Sequence, residues 1–237
     1  MTSATLLLAL ASLAAAQYGP GGGPGGNNPY AGGDPGAAGG FGGFDIGAFL
    51  SALEPKLIAH GVLASLAFVI FFPLGAIMIR IASFPGLWWV HGLFQVFAYA
   101  LFTAAVGLGI WFNNQIPDSL LDHYHPVIGL LCFALLFFQP ILGVLHHTQF
   151  KKYNRRTFWS YGHLWLGRIV ITLGMINGGL GMLLATETGF FVPSRGQMIA
   201  YGVIAGLMWV AWVLASVFGE VKRSRGSKKT VQKEQYA

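Results

Sequence analysis

The chain has 237 residues, of which 54% are hydrophobic and only 9% are charged, and its formal net charge is +6. Soluble domains carry about 25% charged residues, so this composition excludes a chain surrounded by water. The single cysteine, Cys132, excludes a disulfide within the chain.

The N-terminus predicts a cleaved signal followed by a tether. Leu6–Ala16 is apolar but too short to span a bilayer, and it ends in small residues typical of a cleavage site, so residues 1–16 are predicted to be a signal peptide. A short hydrophobic anchor is the alternative. Half of residues 18–43 are glycine, which predicts a disordered, Gly/Pro-rich extracellular segment over residues 17–56. Asp45–Lys56 could instead form a short interfacial helix.

Five apolar runs follow, and each is long enough to cross a membrane as a helix. They are Leu57–Ile79, Leu87–Trp111, His125–Leu145, His163–Ala185 and Met198–Phe218. Helices satisfy their own backbone hydrogen bonds in lipid, whereas an odd number of wholly apolar segments does not suit a barrel. The predicted fold is therefore an all-α membrane protein, with five transmembrane helices in residues 57–220 and a basic tail in residues 221–237. Pro73 and Pro140 predict kinks in the first and third helices.

The distribution of charge predicts the orientation. The first connection, the third connection and the tail lie on one side of a five-helix topology, and they carry eleven cations: Arg80, Lys151, Lys152, Arg155, Arg156, Lys222, Arg223, Arg225, Lys228, Lys229 and Lys233. The other side has only Lys56 and Arg195, with most of the acids. Because positive charge stays in the cytoplasm, we expect the N-terminus outside and the C-terminus in the cytosol. The expected location is the plasma membrane or an organelle of the secretory pathway.

Four histidines stand in the first turns of four of these apolar runs. In an up-and-down bundle the first and third helices start at the outer side, which places His60 and His125 at one level. The second and fourth start at the inner side, which places His91 and His163 at the other. The sequence thus predicts two histidine pairs, one near each membrane face.

Two facing imidazoles are the axial ligands of a six-coordinate haem iron, a centre that passes single electrons. We therefore predict one haem in each pair, bound without covalent attachment because the chain has no C-x-x-C-H motif. Histidines that merely sit at the membrane interface are the simpler alternative, and a zinc site would need three or four clustered ligands. His123 could replace His125, and His146 could contact an inner haem propionate or ligate the iron. His147 is expected to face the headgroups.

Two further features have open interpretations. Glycines recur on the His163 face of the fourth helix, among them Gly174 and Gly178, and they leave space for a flat cofactor or serve close helix packing. Arg168 lies five residues into that apolar run, where a cation should have a partner. That partner is an inner haem propionate or a lipid phosphate.

Four stretches carry a family resemblance: "HGVLASLAFVIFFPLGAIMIR" from His60, "HGLFQVFAYALFTAAVGLGIW" from His91, "DHYHPVIGLLCFALLFFQPILGVLHH" from Asp122 and "YGHLWLGRIVITLGMINGGLGM" from Tyr161. Over roughly residues 57–220 the chain resembles the eukaryotic cytochrome b561 / ferric reductase transmembrane domain. Within that family it looks like the fungal branch that is often attached to a DOMON-type domain. We expect the chain to differ from that branch by lacking the DOMON domain. It departs from the six-helix, ascorbate-dependent animal and plant members by its five helices and by the absence of their ascorbate-site sequence.

The resemblance implies a four-helix core with two b-type haems, one held by His60 and His125 and one by His91 and His163, and electron transfer across the membrane. It implies a cytosolic reductant such as ascorbate and an outer acceptor, either a ferric chelate, as in a ferric reductase, or monodehydroascorbate. A separate haem protein is a further acceptor. Five inner cations could attract an anionic reductant: Arg80, Lys151, Lys152, Arg155 and Arg156. The alternative function is a metal or proton transporter that uses the membrane histidines. A homodimer is left open, and nucleic acid is not an expected partner.

Overall fold

A computed structural model describes residues 46–116 and 119–235, and it describes side chains in residues 51–116 and 119–225. The predicted signal peptide and residues 17–45 of the predicted extracellular segment lie outside the described residues. The chain divides into two compact units, Met1–Phe49 and Leu50–Ala237. Of the first unit only the start of a helix is described, and the site lies in the second.

Five helices in the described part of the chain are long and apolar enough to cross a membrane, which confirms the predicted fold class. They are Ser51–Ile81, Leu87–Asn113, Tyr124–Tyr153, Phe158–Thr188 and Arg195–Arg225, here called spans 1 to 5. Each is longer than the apolar run that predicted it, because hydropathy marks the lipid-facing part of a helix and not its polar ends. The described residues contain no strand.

Span 1 changes its helical geometry halfway along. An α-helix over Ile46–Ser65 leads into a π-helical turn over Leu66–Phe71, and a second α-helix covers Phe72–Ile81. Pro73 has no N–H to close the turn before it, which favours a wider turn at this point. The predicted kink therefore takes the form of a π-helical turn. Residues 46–56, which the sequence assigned to the tether or to an interfacial helix, begin this same helix.

The connections between spans are short, and left-handed residues mark several of them. Gly86 precedes span 2 with a φ of 79°, and Gly189 ends span 4 with a φ of 72°, a conformation that glycine adopts without steric cost. Asn154 ends span 3 with a φ of 52°. The helix of span 5 covers Arg195–Gln235 and so continues into the basic tail.

Spans 1 to 4 form a four-helix core, and span 5 packs outside it against spans 1 and 4. Phe68 and Ala67 of span 1, Phe102 of span 2, Cys132 of span 3 and Val170 of span 4 are buried together. Large apolar side chains cover the outward surface, including Leu93 at 67% exposure and Leu207 at 68%. Such a surface is suited to lipid.

Close packing accounts for two glycines of span 4. Phe68 of span 1 lies directly over Gly174, and Tyr201 of span 5 lies directly over Gly178, so neither position has room for a Cβ atom. The phenol of Tyr201 also donates a hydrogen bond to the carbonyl of Met175 at 2.6 Å. These two glycines therefore serve helix packing, which is one of the two interpretations that the sequence left open.

Candidate functional site

Two pairs of histidines lie inside the four-helix core, one towards each end. The ring centres of His60 and His125 are 5.8 Å apart, and those of His91 and His163 are 6.4 Å apart. Within each pair the ring planes are nearly perpendicular, at 85° and 84°. The end that carries His91, His163 and the connection between spans 3 and 4 is called the basic end below.

The spacing within each pair suits a metal ion between the rings. Bonds from imidazole to metal are about 2 Å long, so two imidazoles on opposite sides of one ion have ring centres about 6 Å apart once the ring radii are added. Both measured separations are close to this value. The residues present therefore fit a bis-histidine haem at each end, with His60 and His125 on one and His91 and His163 on the other.

The outer nitrogen of three of these rings is fixed by the backbone. In each case Nδ1 lies within hydrogen-bond distance of a carbonyl oxygen, which can only accept, so Nδ1–H donates and Nε2 keeps its lone pair. Metal-binding histidines in general hold their second nitrogen in this way. The contacts are His60 to Ala105 at 2.7 Å, His91 to Gly75 at 2.9 Å and His125 to Asn177 at 2.9 Å.

A glycine on the neighbouring span lies against the ring of His60 and of His125. A Cβ on Gly109 would be 3.0 Å from Cε1 of His60, and a Cβ on Gly181 would be 2.8 Å from Cε1 of His125. In both cases the glycine stands four residues after the carbonyl that receives the imidazole proton. One helical turn thus supplies both the hydrogen-bond acceptor and the space for the ring.

The ring of His163 repeats this arrangement in part. It lies over Gly143, where a Cβ would be 3.3 Å from Cε1. The carbonyl four residues earlier belongs to Gln139, whose side-chain amide donates to the backbone oxygen of His163 at 3.4 Å. Nδ1 of His163 is itself buried, and no described residue forms a hydrogen bond with it under strict geometry.

A second imidazole supports the pair at the basic end. The ring of His146 stacks on that of His163 with centres 6.0 Å apart and an angle of 12°. Its Nδ1 lies 2.7 Å from Oγ of Ser160, which is fully buried and also accepts a hydrogen bond from the backbone N–H of Thr157. Sequence patterns did not identify Ser160, although it lies one helical turn before the predicted ligand His163.

The remaining histidines lie outside the two pairs. His123 precedes the first residue of span 3, and its Nδ1 is 3.0 Å from a carboxylate oxygen of Asp122. It is His125, and not His123, that faces His60. His147 stacks on the indole of Trp88 with ring centres 4.0 Å apart.

Arginines from three spans and one connection surround a single carboxylate at the basic end. Glu220 of span 5 contacts Arg156 at 2.8 Å through both oxygens, Arg80 at 3.1 Å and Arg168 at 3.3 Å. Nε of Arg223 lies 3.7 Å from a carboxylate oxygen of Glu220. The sequence predicted Arg80 and Arg156 as cations that attract a reductant, and Arg168 as the partner of a haem propionate or a lipid phosphate. It did not identify Glu220 as a residue that contacts all three. An acid at the same end of the bundle as these cations was the available signal.

The five cations proposed for a reductant fall into two groups. Arg80 and Arg156 are part of the cluster around Glu220, with side-chain exposures of 16% and 12%. Lys151, Lys152 and Arg155 are exposed at the end of span 3 and in the connection after it. Only the second group is open to a soluble molecule over most of its surface.

Clusters of three or more His, Cys, Asp or Glu side chains that could hold a free metal ion do not occur in the described ranges. A tetrahedral zinc site, one alternative to the haem hypothesis, therefore has no counterpart there.

Comparison with known proteins identifies relatives of one kind. A cytochrome b561 and DOMON domain-containing protein of Arabidopsis thaliana is 31% identical over 161 residues, which cover 67% of this chain and 38% of the relative. A second protein of that description from the same plant is 28% identical over 204 residues, 83% of this chain and 47% of its own length. A cytochrome b561 domain-containing protein of Arabidopsis thaliana is 31% identical over 138 residues, which cover 53% of this chain and 51% of the relative.

These matches span about half the length of the relatives or less. No protein-family model and no solved structure matches the chain. The homologues confirm the family that the four histidine-bearing stretches indicated.

Proposed function

Because the chain belongs to the cytochrome b561 family, we propose that it carries single electrons across a membrane with a b-type haem at each end of its four-helix core. A haem iron with two imidazole ligands changes its oxidation state by one electron and has no open position for oxygen. The observation that carries the proposal is the geometry of the two pairs, with ring centres 5.8 and 6.4 Å apart.

The protein's own residues have distinct roles in this proposal. His60 and His125 hold one iron, and His91 and His163 hold the other. Backbone carbonyls orient three of the four rings and keep Nε2 available. Arg168 is the partner we propose for a haem propionate, since its contact with Glu220 uses one terminal nitrogen only.

Electrons enter, in this proposal, at the basic end. Positive charge favours a cytosolic location for that end. Lys151, Lys152 and Arg155 would attract an anionic reductant such as ascorbate, and Arg80 and Arg156 would add to the positive electrostatic potential there. A ferric chelate or a partner haem protein would receive electrons at the opposite end. With a ferric chelate as acceptor, the chain would be a transmembrane ferric reductase.

Absorption spectroscopy of the purified full chain tests the haem proposal. We expect about two haems per chain in the wild type and loss of one in His125→Ala. The matched control is His123→Ala, two residues away and outside the pair, which should keep both. A folded but colourless protein would contradict the proposal and favour the transporter alternative.

Donor and acceptor need a separate experiment. Vesicles that hold the protein and trapped ascorbate should reduce ferric citrate added outside, and Lys152→Gln should slow this reaction. A neutral hydroquinone donor serves as the control, because its rate should not depend on this lysine. Normal haem content without any reduction of the outer chelate would retain the haem sites and reject this donor and acceptor.

A further inference from the structure

The arginine cluster around Glu220 carries more positive charge than its own carboxylate can balance. Arg80, Arg156 and Arg223 lie within 3.7 Å of Glu220 together with Arg168. Even with Arg168 assigned to a haem propionate, three guanidinium groups face one carboxylate, which leaves two positive charges. A second anion is the direct way to balance them.

None of the other acids whose side chains the structure describes can supply that balance. Glu54 lies near the start of span 1, Asp122 before span 3 and Glu187 near the end of span 4, all at the opposite end of the bundle. Within residues 51–116 and 119–225, Glu220 is therefore the only carboxylate at the basic end. The neighbouring Lys151, Lys152 and Arg155 add positive charge there.

The guanidinium groups also keep unused hydrogen-bond donors. Each guanidinium has five N–H groups. Arg80 uses one terminal nitrogen on Glu220, and Arg156 uses both terminal nitrogens. Both side chains are largely buried, at 16% and 12% exposure, so these donors are held in place more firmly than those of a surface arginine.

The depth of the cluster corresponds to the headgroup region. Span 4 has 31 residues, about 46 Å at 1.5 Å per residue, whereas the hydrocarbon core is about 30 Å thick. Its ends therefore reach into the headgroups on both sides. Arg80 is next to the last residue of span 1, and Arg156 lies in the connection between spans 3 and 4.

We propose that Arg80 and Arg156, with Arg223 at the rim, form a phosphate-binding site that they share with Glu220. The planar guanidinium pairs with phosphate through two parallel hydrogen bonds, and a phosphate group supplies the missing negative charge at this depth. The phosphate belongs to an anionic lipid headgroup or to a free phosphate in solution. The site does not depend on haem, so the haem proposal can fail without affecting it.

Two assays on the purified full-length holoprotein separate these sources. In the first, thermal unfolding in a neutral detergent is followed with inorganic phosphate or with chloride at equal ionic strength, because a ligand of the folded state raises the unfolding temperature. In the second, the protein is reconstituted in phosphatidylcholine with a minor share of phosphatidylglycerol, and the lipid that remains after re-extraction is quantified by mass spectrometry.

Arg156→Gln and Arg155→Gln form the decisive comparison, because both remove one positive charge and only Arg156 contacts Glu220. In these two assays we expect Arg155→Gln to bind inorganic phosphate or phosphatidylglycerol as the wild type does. Arg156→Gln should weaken phosphate or phosphatidylglycerol binding about tenfold, which corresponds to roughly 1.4 kcal/mol. A response to phosphate identifies a free ligand, and retention of phosphatidylglycerol alone identifies a lipid headgroup.

Two results would overturn the proposal. One is equal loss in both variants, which would mean general attraction by the positive surface. The other is a wild type that responds to neither probe. If Arg156→Gln does not fold, Arg80→Lys keeps the charge and removes the two-pronged geometry, and unchanged binding in that variant would likewise reject the site. The haem spectrum of each variant reports separately on the haem proposal.

Discussion

Gly109 of span 2 lies directly against the imidazole of His60, so that a Cβ at this position would be 3.0 Å from Cε1 of the ring. With alanine at this position the ring, which hydrogen-bonds to the carbonyl of Ala105, would have to shift by a few tenths of an ångström. Gly107, two residues earlier, has nothing within 4 Å of an added Cβ.

We expect Gly109→Ala to displace His60 and to remove or weaken one haem, so that haem content falls from about two per chain towards one. Gly107→Ala makes the same chemical change in the same helix and should keep both. Pyridine haemochrome assay of the two purified variants measures this. Equal haem content in the two proteins would show that the glycine does not set the position of the ring.

Gly174→Ala should destabilise the four-helix core. The ring of Phe68 covers this glycine and is itself buried, so an added methyl group forces a rigid side chain to move, at a cost of about 1–3 kcal/mol. Gly179→Ala is the control, because an added Cβ there meets nothing within 4 Å. Thermal unfolding in detergent should separate the two, and matching midpoints would contradict the packing described.

Glu220→Gln should loosen the attachment of span 5 at the basic end. The change removes the charge that Arg80, Arg156 and Arg168 share, and hydrogen bonds to charged groups contribute about 1.5–3 kcal/mol. Glu187→Gln, at an exposed acid of the opposite end, should change stability by less than about 0.5 kcal/mol. Proteolysis of the tail, followed over time, should be faster in Glu220→Gln only. Equal rates would exclude an anchoring role.

Ser160→Ala tests the support of His163 by His146. Without Oγ of Ser160, His146 loses its 2.7 Å contact and can turn away from the ring on which it stacks. We expect a shift in the absorption and midpoint potential of the haem at the basic end, with the other haem unchanged. Ser119→Ala, in the connection after span 2, is the control. An equal shift of both haems would indicate a general loss of structure.

Sequence patterns were sufficient for the bundle and for the histidine pairs. Apolar length alone identifies five spans, and the alternation of an up-and-down chain places His60 level with His125. The same reasoning could not find Glu220 as the partner of Arg80, Arg156 and Arg168, because that contact depends on how span 5 packs against the core.

Backbone details were also beyond the sequence. Pro73 predicts a disturbed helix, but not a π-helical turn over Leu66–Phe71. The carbonyls of Ala105 and Asn177 carry no signal at all, since any residue supplies a carbonyl. Glycine at position 109 has several explanations until the ring of His60 is seen against it.

The π-helical turn of span 1 buries Phe68 against Gly174 and edge-on to Phe102, with the two phenyl ring centres 4.7 Å apart. Phe68 belongs to a layer of buried apolar side chains contributed by all five spans. If electrons cross this layer alone, each transfer is uncompensated and the membrane charges like a capacitor. Moving one charge against 100 mV costs about 2.3 kcal/mol, so sustained turnover would require a separate ion conductance in the same membrane.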